Sequence, residues 1–425
     1  MNDFRTDKEF ALRLDKNDPL AHFREQFYIP KQEDGSEVIY FCGNSLGLQP
    51  KSTRSYLEQE MLDWETLAVA GHFRAKNPWL PYHEYLTEQT AGIVGARPIE
   101  VVVMNTLTVN LHLMLVSFYR PTANRYKILM EANAFPSDRY AVKSQIRFHN
   151  YDPERALLKL PLRPGESTHY TEDIVDFIEK EGDEIALILL GGINYYSGQA
   201  FEMDKITRAG HKMGCVVGFD CAHAAGNLAL HLHDWDVDFA VWCTYKYLNA
   251  GPGAIAGCFV HKRFSQADDL PRFSGWWGHD KETRFLMGPD FKAIPGAEGW
   301  QLSNPPILSM AALRASLDIF DKAGFQNMVE KSKKLTSYIE FLLGELSSDY
   351  FRIITPKDPQ QRGCQLSIQM KTHGKEVHDM LTKSGVICDW RQPDVIRIAP
   401  VPLYNTYTDG FNFVNLFKNA LANSV

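Results

Sequence analysis

The sequence has no long apolar run. A helix needs about 20 consecutive apolar residues to cross a bilayer, and no stretch of the chain approaches that length. Residues 1–18 alternate charged with apolar side chains, whereas a secretory signal contains an uninterrupted apolar core. We therefore expect a cytoplasmic protein with no membrane partner.

The chain also has no excess of positive charge. It contains 45 Lys and Arg residues against 52 Asp and Glu residues, which gives a formal net charge of −7, and it has no long Lys or Arg run. Proteins that bind nucleic acid or anionic membranes concentrate positive charge on one surface. Nucleic acid is therefore not an expected partner.

Cysteine is scarce, with seven residues in a chain of 425. The number is odd, the positions are scattered, and several of the cysteines lie in apolar, strand-like segments. This pattern is typical of buried thiols in a reducing compartment, so we expect no disulfide.

Short apolar runs are the most regular feature of what is present. They occupy residues 101–104, 127–130, 185–190, 216–219, 239–243 and 255–260. Apolar runs of this length without alternation are typical of strands buried on both faces. Helical patterns at 172–180 and 205–213 separate some of them, as in a βαβ unit. The pattern predicts an α/β domain with a mainly parallel central sheet.

The C-terminal part changes pattern after two long helical stretches at 307–323 and 326–346. Beyond them the sequence predicts strands at 352–354, 365–370, 386–390 and 395–399, and helices at 375–383 and 410–422. This is the pattern of a small α+β domain, and a chain of this length can form two domains. We predict an N-terminal arm at 1–50 that contributes to the small domain and the active site, a large domain at 51–310 and a small domain at 311–425.

Two candidate catalytic residues stand at predicted strand ends. Asp220 follows the run 216–219, and Lys246 comes 26 residues later, after the run 239–243. Ligands collect at the carboxyl ends of neighbouring parallel strands. The pair suits pyridoxal 5'-phosphate, because a lysine amine binds this cofactor as a Schiff base and an aspartate keeps its ring nitrogen protonated. Each residue alone is more typical of a helix cap or a solvated charge, so the prediction depends on their combination.

Two helix starts follow the first predicted strands. Thr106 and Thr108 open an apolar helical run, where a hydroxyl and free N–H groups suit a phosphate. A simple helix N-cap is the alternative. Phe135 and Pro136 begin a turn that leads to Asp138. Phe135 is placed to lie against a planar ring, and a capped helix with a core Phe is a compatible alternative.

Arg397 is a charge within the apolar strand pattern 395–399. Its guanidinium group matches the two oxygens of a carboxylate, although arginine is also common on the solvated face of a strand. The glycine-rich segment 251–257 leads into a strand pattern rather than a helix, which excludes a dinucleotide loop. His231 and His233 have no partner cluster at ligand spacing, so we interpret their loop as polar and predict no metal site.

Several longer motifs are specific to one family. They are Gly-Asn-Ser-Leu-Gly at 43–47, Phe-Pro-Ser-Asp at 135–138, Tyr-Tyr-Ser-Gly-Gln at 195–199, Gly-Trp-Trp-Gly-His at 275–279, Ser-Asn-Pro-Pro at 303–306 and Arg-Ile-Ala-Pro-Val-Pro-Leu-Tyr at 397–404. With these motifs the chain resembles the kynureninase family over about residues 20–415. The resemblance implies a pyridoxal phosphate enzyme with the aspartate aminotransferase fold, fold type I.

The resemblance also implies roles for individual residues. Lys246 would bind the cofactor and carry protons, and Tyr245 would act as an acid. The cofactor-binding residues would be Leu107, Thr108, Phe135, Pro136, Ser137, Asp138, Asp220, His223, Tyr245, Lys246, Trp276 and Asn304. The substrate-binding residues would be Asn44, Ser45, His72, Ser303, Asn304 and Arg397.

The implied reaction is hydrolysis of the Cβ–Cγ bond of L-kynurenine, or of 3-hydroxy-L-kynurenine. The products would be L-alanine with anthranilate or 3-hydroxyanthranilate, in tryptophan degradation or NAD biosynthesis. The resemblance further implies a homodimer with shared active sites, because Trp276 and Asn304 lie on segments that cross to the neighbouring subunit in this fold.

Two positions depart from the family pattern. Gly191 stands where relatives can carry a serine, and Trp277 stands where some have phenylalanine; both concern substrate preference rather than the reaction. Two other functions remain open. One is another enzyme of the same fold, an aminotransferase or a cysteine desulfurase whose thiol would be Cys364. The other is a binding protein without catalysis, against which the intact pyridoxal phosphate residues argue.

Overall fold

The structure, a computed structural model, describes residues 4–267, 269–347 and 349–424. The strands in these ranges are β1 (Ile39–Tyr40), β2 (Val101–Met104), β3 (Lys127–Glu131), β4 (Leu157–Leu160), β5 (Ile185–Gly191), β6 (Val216–Asp220), β7 (Phe239–Trp242), β8 (Ala256–Val260), β9 (Phe351–Ile353), β10 (Leu366–Met370), β11 (Val386–Ile387), β12 (Asp389–Arg391) and β13 (Val395–Ile398). The α-helices are α1 (Lys8–Lys16), α2 (Thr53–Leu67), α3 (Gly71–Arg74), α4 (Thr87–Val94), α5 (Leu107–Phe118), α6 (Pro136–Phe148), α7 (Pro153–Ala156), α8 (Thr171–Glu181), α9 (Met203–Lys212), α10 (Ile307–Ala323), α11 (Phe325–Gly344), α12 (Gly374–Lys383) and α13 (Tyr407–Ser424). No helix in the described ranges is both long enough and apolar enough to cross a membrane.

Seven strands form a central sheet in the order β2-β8-β7-β6-β5-β3-β4. The neighbours from β7 to β4 are parallel, and β8 runs antiparallel to both of its neighbours. The strands β2, β7 and β8 are buried along their whole length, because helices cover both faces of the sheet. The predicted mainly parallel sheet is confirmed, and each of the six apolar runs is a strand.

The edge strand β4 was absent from the sequence prediction. Among the described residues it pairs only with β3, and its sequence of Leu-Leu-Lys-Leu includes an exposed Lys159. An edge strand needs less burial than a central one, so it lacks the uninterrupted apolar run that identified the others.

Apolar side chains form a core on each face of the central sheet. One cluster joins α5 and α6 to the sheet and includes Leu111 and Ile146. The other cluster lies under α4, α9 and α10 and includes Ile206 and Leu317. Because both faces are packed in this way, side chains at the ends of the strands are held in fixed positions.

The C-terminal part contains a four-stranded antiparallel sheet in the order β12-β13-β10-β9. The helices α11, α12 and α13 cover it through a separate apolar core. The prediction of a single strand at 386–390 is wrong, because β11 pairs in parallel with β1 while β12 joins the antiparallel sheet. The segment divides because its two halves hydrogen-bond to different neighbours. The small α+β architecture is confirmed.

The N-terminal segment packs on this C-terminal part. Helix α1, which the sequence prediction did not include, places Ala11 in the C-terminal core, and Phe41 from the following segment joins it. The Asp15 carboxylate accepts hydrogen bonds from the backbone N–H groups of Tyr407 (2.6 Å) and Thr408 (3.0 Å) at the beginning of α13. Helix α1 therefore packs against the beginning of α13.

Candidate active site

Asp220 and Lys246 lie at the carboxyl edge of the central sheet. Asp220 is the last residue of β6, and Lys246 follows the end of β7. Because β6 and β7 are parallel neighbours, the two residues share one edge, which is where open α/β sheets bind ligands. Asp220 Oδ1 accepts a hydrogen bond from the backbone N–H of Ala222 (2.7 Å), which fixes the carboxylate.

A second carboxyl group forms a pair with Asp220. Asp138 lies in the first turn of α6, is buried like Asp220, and is hydrogen-bonded to it. Burial raises the pKa of both carboxyl groups, and the charge of Asp220 raises the pKa of Asp138 further. The Lys246 cation opposes both shifts. Both carboxyl groups are therefore harder to ionise than a solvated aspartate, and they interact with the Lys246 amine.

His223 lies in the turn that follows β6. It is buried, and its Nδ1 atom has no hydrogen-bond partner among the described residues. Burial lowers the pKa of His223 well below its usual value, and the cations of Lys246 and Arg397 lower it further. The imidazole ring is therefore neutral, with one nitrogen that no protein group satisfies.

Two helices begin side by side at the same edge. The hydroxyl oxygens of Thr108, in the first turn of α5, and Ser137, in the first turn of α6, are 3.2 Å apart. Thr106 is the N-cap residue of α5, but its side chain makes no capping hydrogen bond. The N–H groups of Leu107 and Thr108 and both hydroxyls can therefore bind an anion such as a phosphate.

Phe135 is the residue directly before α6 and is 44% exposed. Its ring meets the Tyr195 ring edge to face, with 5.2 Å between the centroids and 78° between the planes. Pro136, the first residue of the helix, fixes the turn from which Phe135 projects. An aromatic ring that is held by a neighbour and still partly open can stack on a planar ligand.

These residues fit pyridoxal phosphate. They supply an amine in Lys246, a carboxylate pair for a ring nitrogen, an aromatic ring in Phe135 and an anion site at two helix starts. Four buried polar atoms in this region also have no hydrogen-bond partner within the described ranges: Asn44 Oδ1, Glu131 Oε2, Asp138 Oδ1 and His223 Nδ1. Buried polar groups are almost always paired in folded proteins, so these atoms indicate a place for a polar ligand.

The turn at 43–47 packs against the backbone of Lys246. The Gly47 N–H donates to the Tyr245 carbonyl oxygen (2.8 Å). A Cβ atom at Gly47 would lie 2.3 Å from the Lys246 carbonyl oxygen, so only glycine fits there. Asn44 is 1% exposed and donates from Nδ2 to Gln365 Oε1 (3.1 Å). The turn thus joins the lysine segment to the antiparallel sheet.

Arg397 is 1% exposed, so the alternative of a solvated strand arginine is wrong. Its Nε donates to Asp389 Oδ2 (2.6 Å), its Nη2 lies 2.5 Å from the same oxygen, and its Nη1 donates to the Tyr195 carbonyl oxygen (2.5 Å). Burial lowers the pKa of Arg397, and Asp389 opposes that shift. Asp389 faces Arg397 in the register of β12 and β13. The sequence prediction missed it, because it lay inside a segment predicted as one strand.

Several predicted site residues lie on the surface of the chain instead. They are Ser45, Trp276, Ser303 and Asn304. Trp276 is 43% exposed and makes aromatic contacts with Trp277 and Phe285. His72 lies on the short helix α3, against the ring of Trp79. A single chain therefore brings Lys246 together with Asp138, Asp220 and His223, and leaves the four exposed residues on its outside, with His72 half-buried.

The two departures from the family pattern have different surroundings. Gly191 ends β5 and lies opposite Asp220 in the register of β5 and β6, so it belongs to the site region. Trp277 is 1% exposed, and the guanidinium carbon of Arg284 lies 4.3 Å from its ring centroid. Trp277 is a buried packing residue.

A group of potential metal ligands lies outside this site. Glu100, His233 and His261 each bring one ligand atom within 4.8 Å of the others, so the prediction that His233 has no partner cluster is wrong. The two imidazole rings are parallel, with 5.0 Å between centroids, and one metal ion cannot lie in the planes of two stacked rings. Glu100 also accepts hydrogen bonds from the backbone N–H groups of Arg97 (2.8 Å) and Lys262 (2.9 Å). We assign the cluster to hydrogen bonding rather than to metal.

The cysteines give no support to a desulfurase. All seven are free, and Cys364 is fully buried. Burial raises the pKa of the Cys364 thiol to about 12. A catalytic thiol must be accessible and readily ionised, so Cys364 does not meet the chemical requirement.

The fold is shared with solved structures of low sequence identity. A cysteine desulfurase from Thermococcus onnurineus superposes with a TM-score of 0.76 at 16% identity, covering 97% of this chain and 98% of that one. The cysteine desulfurase CsdA from Escherichia coli gives a TM-score of 0.77 at 17% identity, covering 96% and 99%. These similarities show the fold type I architecture and nothing about the substrate.

Sequence relatives are far closer. The chain is 61% identical to a kynureninase from Koribacter versatilis, over 97% of this chain and 98% of the relative. It is 57% identical to a kynureninase from Myxococcus xanthus, over 98% and 97%, and 48% identical to one from Nematostella vectensis, over 97% and 94%. The model of the kynureninase C-terminal domain matches residues 328–417. The chain therefore belongs to the kynureninase family.

Proposed function

We propose that this protein hydrolyses the Cβ–Cγ bond of L-kynurenine to anthranilate and L-alanine, and that it also accepts 3-hydroxy-L-kynurenine. The observation that carries the proposal is the Lys246 amine beside the buried Asp138–Asp220 pair, in a chain that is 61% identical to a kynureninase. Consumption of kynurenine would serve tryptophan degradation, and release of 3-hydroxyanthranilate would supply NAD biosynthesis.

Pyridoxal phosphate would be held by the residues at the sheet edge. Lys246 Nζ would bind it covalently, and Phe135 would lie against its ring. The carboxylate pair would face the ring nitrogen, and the hydroxyls of Thr108 and Ser137 would bind the phosphate together with the helix N–H groups. When bound, the cofactor supplies an electron sink for the carbon next to the substrate amino group.

Arg397 would bind the substrate carboxylate. An arginine side chain has five N–H groups. Asp389 binds the side of the guanidinium group formed by Nε and Nη2, and the Tyr195 carbonyl oxygen accepts one hydrogen bond from Nη1. The remaining donors are fixed in orientation before the substrate arrives. This arrangement fixes the position of the substrate relative to Lys246.

Lys246 and Tyr245 would transfer protons. The Lys246 amine, once released from the cofactor, would remove the proton from the substrate Cα and deliver it elsewhere in the site. Burial raises the pKa of Tyr245, and its contact with Cys243 raises it further. The Tyr245 hydroxyl therefore remains protonated at neutral pH, as a proton donor must be, and would donate from its oxygen to the substrate.

The protein would function as a homodimer that completes each site from both chains. The four exposed residues of the predicted site, Ser45, Trp276, Ser303 and Asn304, support this proposal. So do large apolar side chains that a single chain exposes, which include Trp64 at 63%, Val69 at 77%, Leu286 at 76% and Met287 at 71%. Such exposure is typical of surfaces that a partner covers. The free cysteines are consistent with a cytoplasmic enzyme.

We propose that the domain boundary lies at Gly324 rather than near residue 310. Helix α10 places Met310, Leu313 and Leu317 in the core under the central sheet, so it belongs with the large domain. Residues from 325 onward and the N-terminal segment around Ala11 would form the small domain.

The test of the proposed reaction is the fluorescence of anthranilate after L-kynurenine is added to purified protein with pyridoxal phosphate. We expect anthranilate and L-alanine in equal amounts, and a parallel assay with 3-hydroxy-L-kynurenine gives the preference. Protein that shows the visible absorbance of bound cofactor but releases neither product would contradict the proposal. Retained turnover in Lys246→Ala would contradict the role of Lys246.

A further inference from the structure

A third acidic residue, Glu131, lies next to the Asp138–Asp220 pair. It is the last residue of β3 and is 4% exposed. The strand β5 lies between β3 and β6 in the sheet, so Glu131 is two strands away from Asp220. All three carboxyl groups stand at the same carboxyl edge, and the resemblance to the family assigned no role to Glu131.

Gly191 is the reason why Glu131 can face Asp220. Neighbouring strands are about 4.8 Å apart, so a side chain on the middle strand would ordinarily separate residues on the outer two. Gly191 lies on that middle strand, opposite Asp220 in the register. A Cβ atom at this position would lie 3.3 Å from Glu131 Oε1 and 3.1 Å from the Ile193 carbonyl oxygen. The glycine thus leaves open the space that the Glu131 carboxyl group borders.

The Glu131 carboxyl group is only partly satisfied by the protein. It accepts hydrogen bonds from the backbone N–H groups of Glu131 and Gly191, whereas Oε2 has no hydrogen-bond partner in the described ranges. Burial raises the pKa of Glu131 to about 7, and the charge of Asp220 contributes to the rise. An ordinary glutamate ionises well below neutral pH, so Glu131 changes its charge within the working range of an enzyme.

Glu131 belongs to the same electrostatic unit as the pair. Its charge raises the pKa of Asp138, as the charge of Asp220 does. The charged groups that face this unit are Asp220 from β6, Asp138 from α6 and the Lys246 cation from the segment after β7. A negative charge on Glu131 therefore adds to the field that the carboxylate pair already produces.

We propose that Glu131 is a positioning residue for the ring nitrogen of the cofactor: reaching past Gly191, it acts through Asp220 and Asp138 and strengthens the negative field where that nitrogen binds. The inference rests on the proposed function only in requiring that pyridoxal phosphate occupies this site. Ionised Glu131 favours a protonated, positively charged ring nitrogen, while neutral Glu131 does not. Its contribution to cofactor binding therefore grows as the pH rises and its proton is lost.

The test compares cofactor affinity in the wild type and in Glu131→Gln, which keeps the shape and removes the charge. The dissociation constant of pyridoxal phosphate is measured by its visible absorbance at about pH 6 and about pH 8.5, on either side of the Glu131 transition. We expect the dissociation constant of Glu131→Gln, divided by that of the wild type, to increase at least about threefold from the lower to the higher pH. The interaction of one unit charge with the ring nitrogen changes the dissociation constant by this factor or more. A ratio that stays constant would overturn the proposal.

A cofactor analogue isolates the ring nitrogen. In the carbocyclic analogue of pyridoxal phosphate, a carbon atom replaces that nitrogen, so no positive charge can form there. We expect the wild type and Glu131→Gln to show a ratio for this analogue that does not change with pH. If the analogue gives the same change as pyridoxal phosphate, Glu131 acts on something other than the nitrogen, and the proposal is wrong.

Two further variants keep the test decisive. Glu100→Gln removes a buried carboxylate that precedes β2 and lies outside the group of Glu131, Asp138 and Asp220. The dissociation constant of Glu100→Gln divided by that of the wild type is expected to be independent of pH. Gly191→Ala places a methyl group against Glu131 Oε1 without removing any ionisable group. It is expected to change the ratio of dissociation constants in the same direction as Glu131→Gln, and it provides the test if Glu131→Gln folds poorly. Failure of the wild type to bind pyridoxal phosphate would instead refute the proposed function, so the two failures are distinguishable.

Discussion

At the scale of single residues, the site depends on buried charges that hold one another in place. Asp220 and Asp138 interact with each other, and Asp389 holds the Arg397 guanidinium. Each contact is worth more than its surface equivalent, because removing one partner leaves the other buried and unpaired. Substitutions at these positions therefore have specific and measurable effects.

We predict that Asp389→Asn raises KM for L-kynurenine about tenfold with a much smaller change in kcat, because loss of one charge-assisted contact costs about 1.4 kcal/mol. The guanidinium of Arg397 would no longer be held in the orientation that receives a carboxylate. Steady-state kinetics separate the two constants. The control is Asp394→Asn, which alters a carboxylate that binds Tyr196 (3.1 Å) and Gln369 (2.9 Å) instead. An equal change in both variants would contradict the assignment.

A second prediction concerns the pH dependence of stability at Glu298. Burial alone would raise the pKa of Glu298, but its contacts with His83 (3.3 Å) and Lys281 (2.7 Å) outweigh burial and lower it to about 2. A carboxyl group with a lowered pKa stabilises the folded state above its unfolded pKa of about 4.5, and this stabilisation is lost as the pH falls toward 2. Glu298→Gln should therefore cost about 2 kcal/mol at neutral pH and less at about pH 3.

Thermal unfolding at a series of pH values checks this expectation. Glu84→Gln is the matched control, because Glu84 is the other partner of Lys281 (2.9 Å) but is more exposed. The difference in unfolding temperature between Glu298→Gln and the wild type should shrink as the pH falls. The corresponding difference for Glu84→Gln should stay small at every pH. If the unfolding temperatures of Glu298→Gln and the wild type change with pH in parallel, the contacts of Glu298 contribute no pH-dependent stability.

At the scale of elements, the site is assembled by turns that press against strand ends. The turn at 43–47 approaches the Lys246 segment so closely that a methyl group at Gly47 would lie 2.3 Å from both the Lys246 carbonyl oxygen and Asn249 Oδ1. The approach ties the antiparallel sheet, through Asn44 and Gln365, to the lysine. The geometry of the lysine therefore depends on residues far away in sequence.

Gly47→Ala is expected to destabilise the protein by about 1–3 kcal/mol, since overpacking against backbone forces the turn away. It should also weaken cofactor binding, because the backbone of Lys246 shifts with the turn. Thermal unfolding and cofactor absorbance measure the two effects. Gly92→Ala, in the open middle of α4 with no atom within 4 Å of its added Cβ, should be neutral or stabilising. Unchanged cofactor binding in Gly47→Ala would show that the turn does not position Lys246.

The ends of the central-sheet strands other than β4 were predictable, because each of these strands is an uninterrupted apolar run followed by a polar residue. Asp220 and Lys246 were found for that reason. Glu131 carries the same signal, an acidic residue at the end of an apolar run, and sequence reasoning could have found it. Asp389 could not be found, because its importance comes from the antiparallel register that sets it opposite Arg397. Helix α1 was missed because its packing partners, α13 and the C-terminal core, lie at the other end of the chain.

At the scale of the whole molecule, the proposed dimer would divide each site between two chains. Lys246 would belong to one chain, and Asn304 would come from the other. A mixture of two inactive variants, Lys246→Ala and Asn304→Ala, then forms hybrid dimers in which one of the two sites is intact. We predict recovery of up to about a quarter of the wild-type activity after mixed refolding, as random pairing requires. No recovery, or a fully active monomer in light scattering, would contradict the shared site.

The contact between Asp15 and the beginning of α13 has a consequence for how the chain folds during synthesis. The N-terminal segment is synthesised long before its partners in α13 and before β11, the partner of β1. Contacts between such distant segments form late, because a long loop must close first. The central sheet, which spans residues 101–260, is complete much earlier. The central sheet can therefore form before the contacts of Asp15 and β1 with the C-terminal part, and these long-range contacts form late.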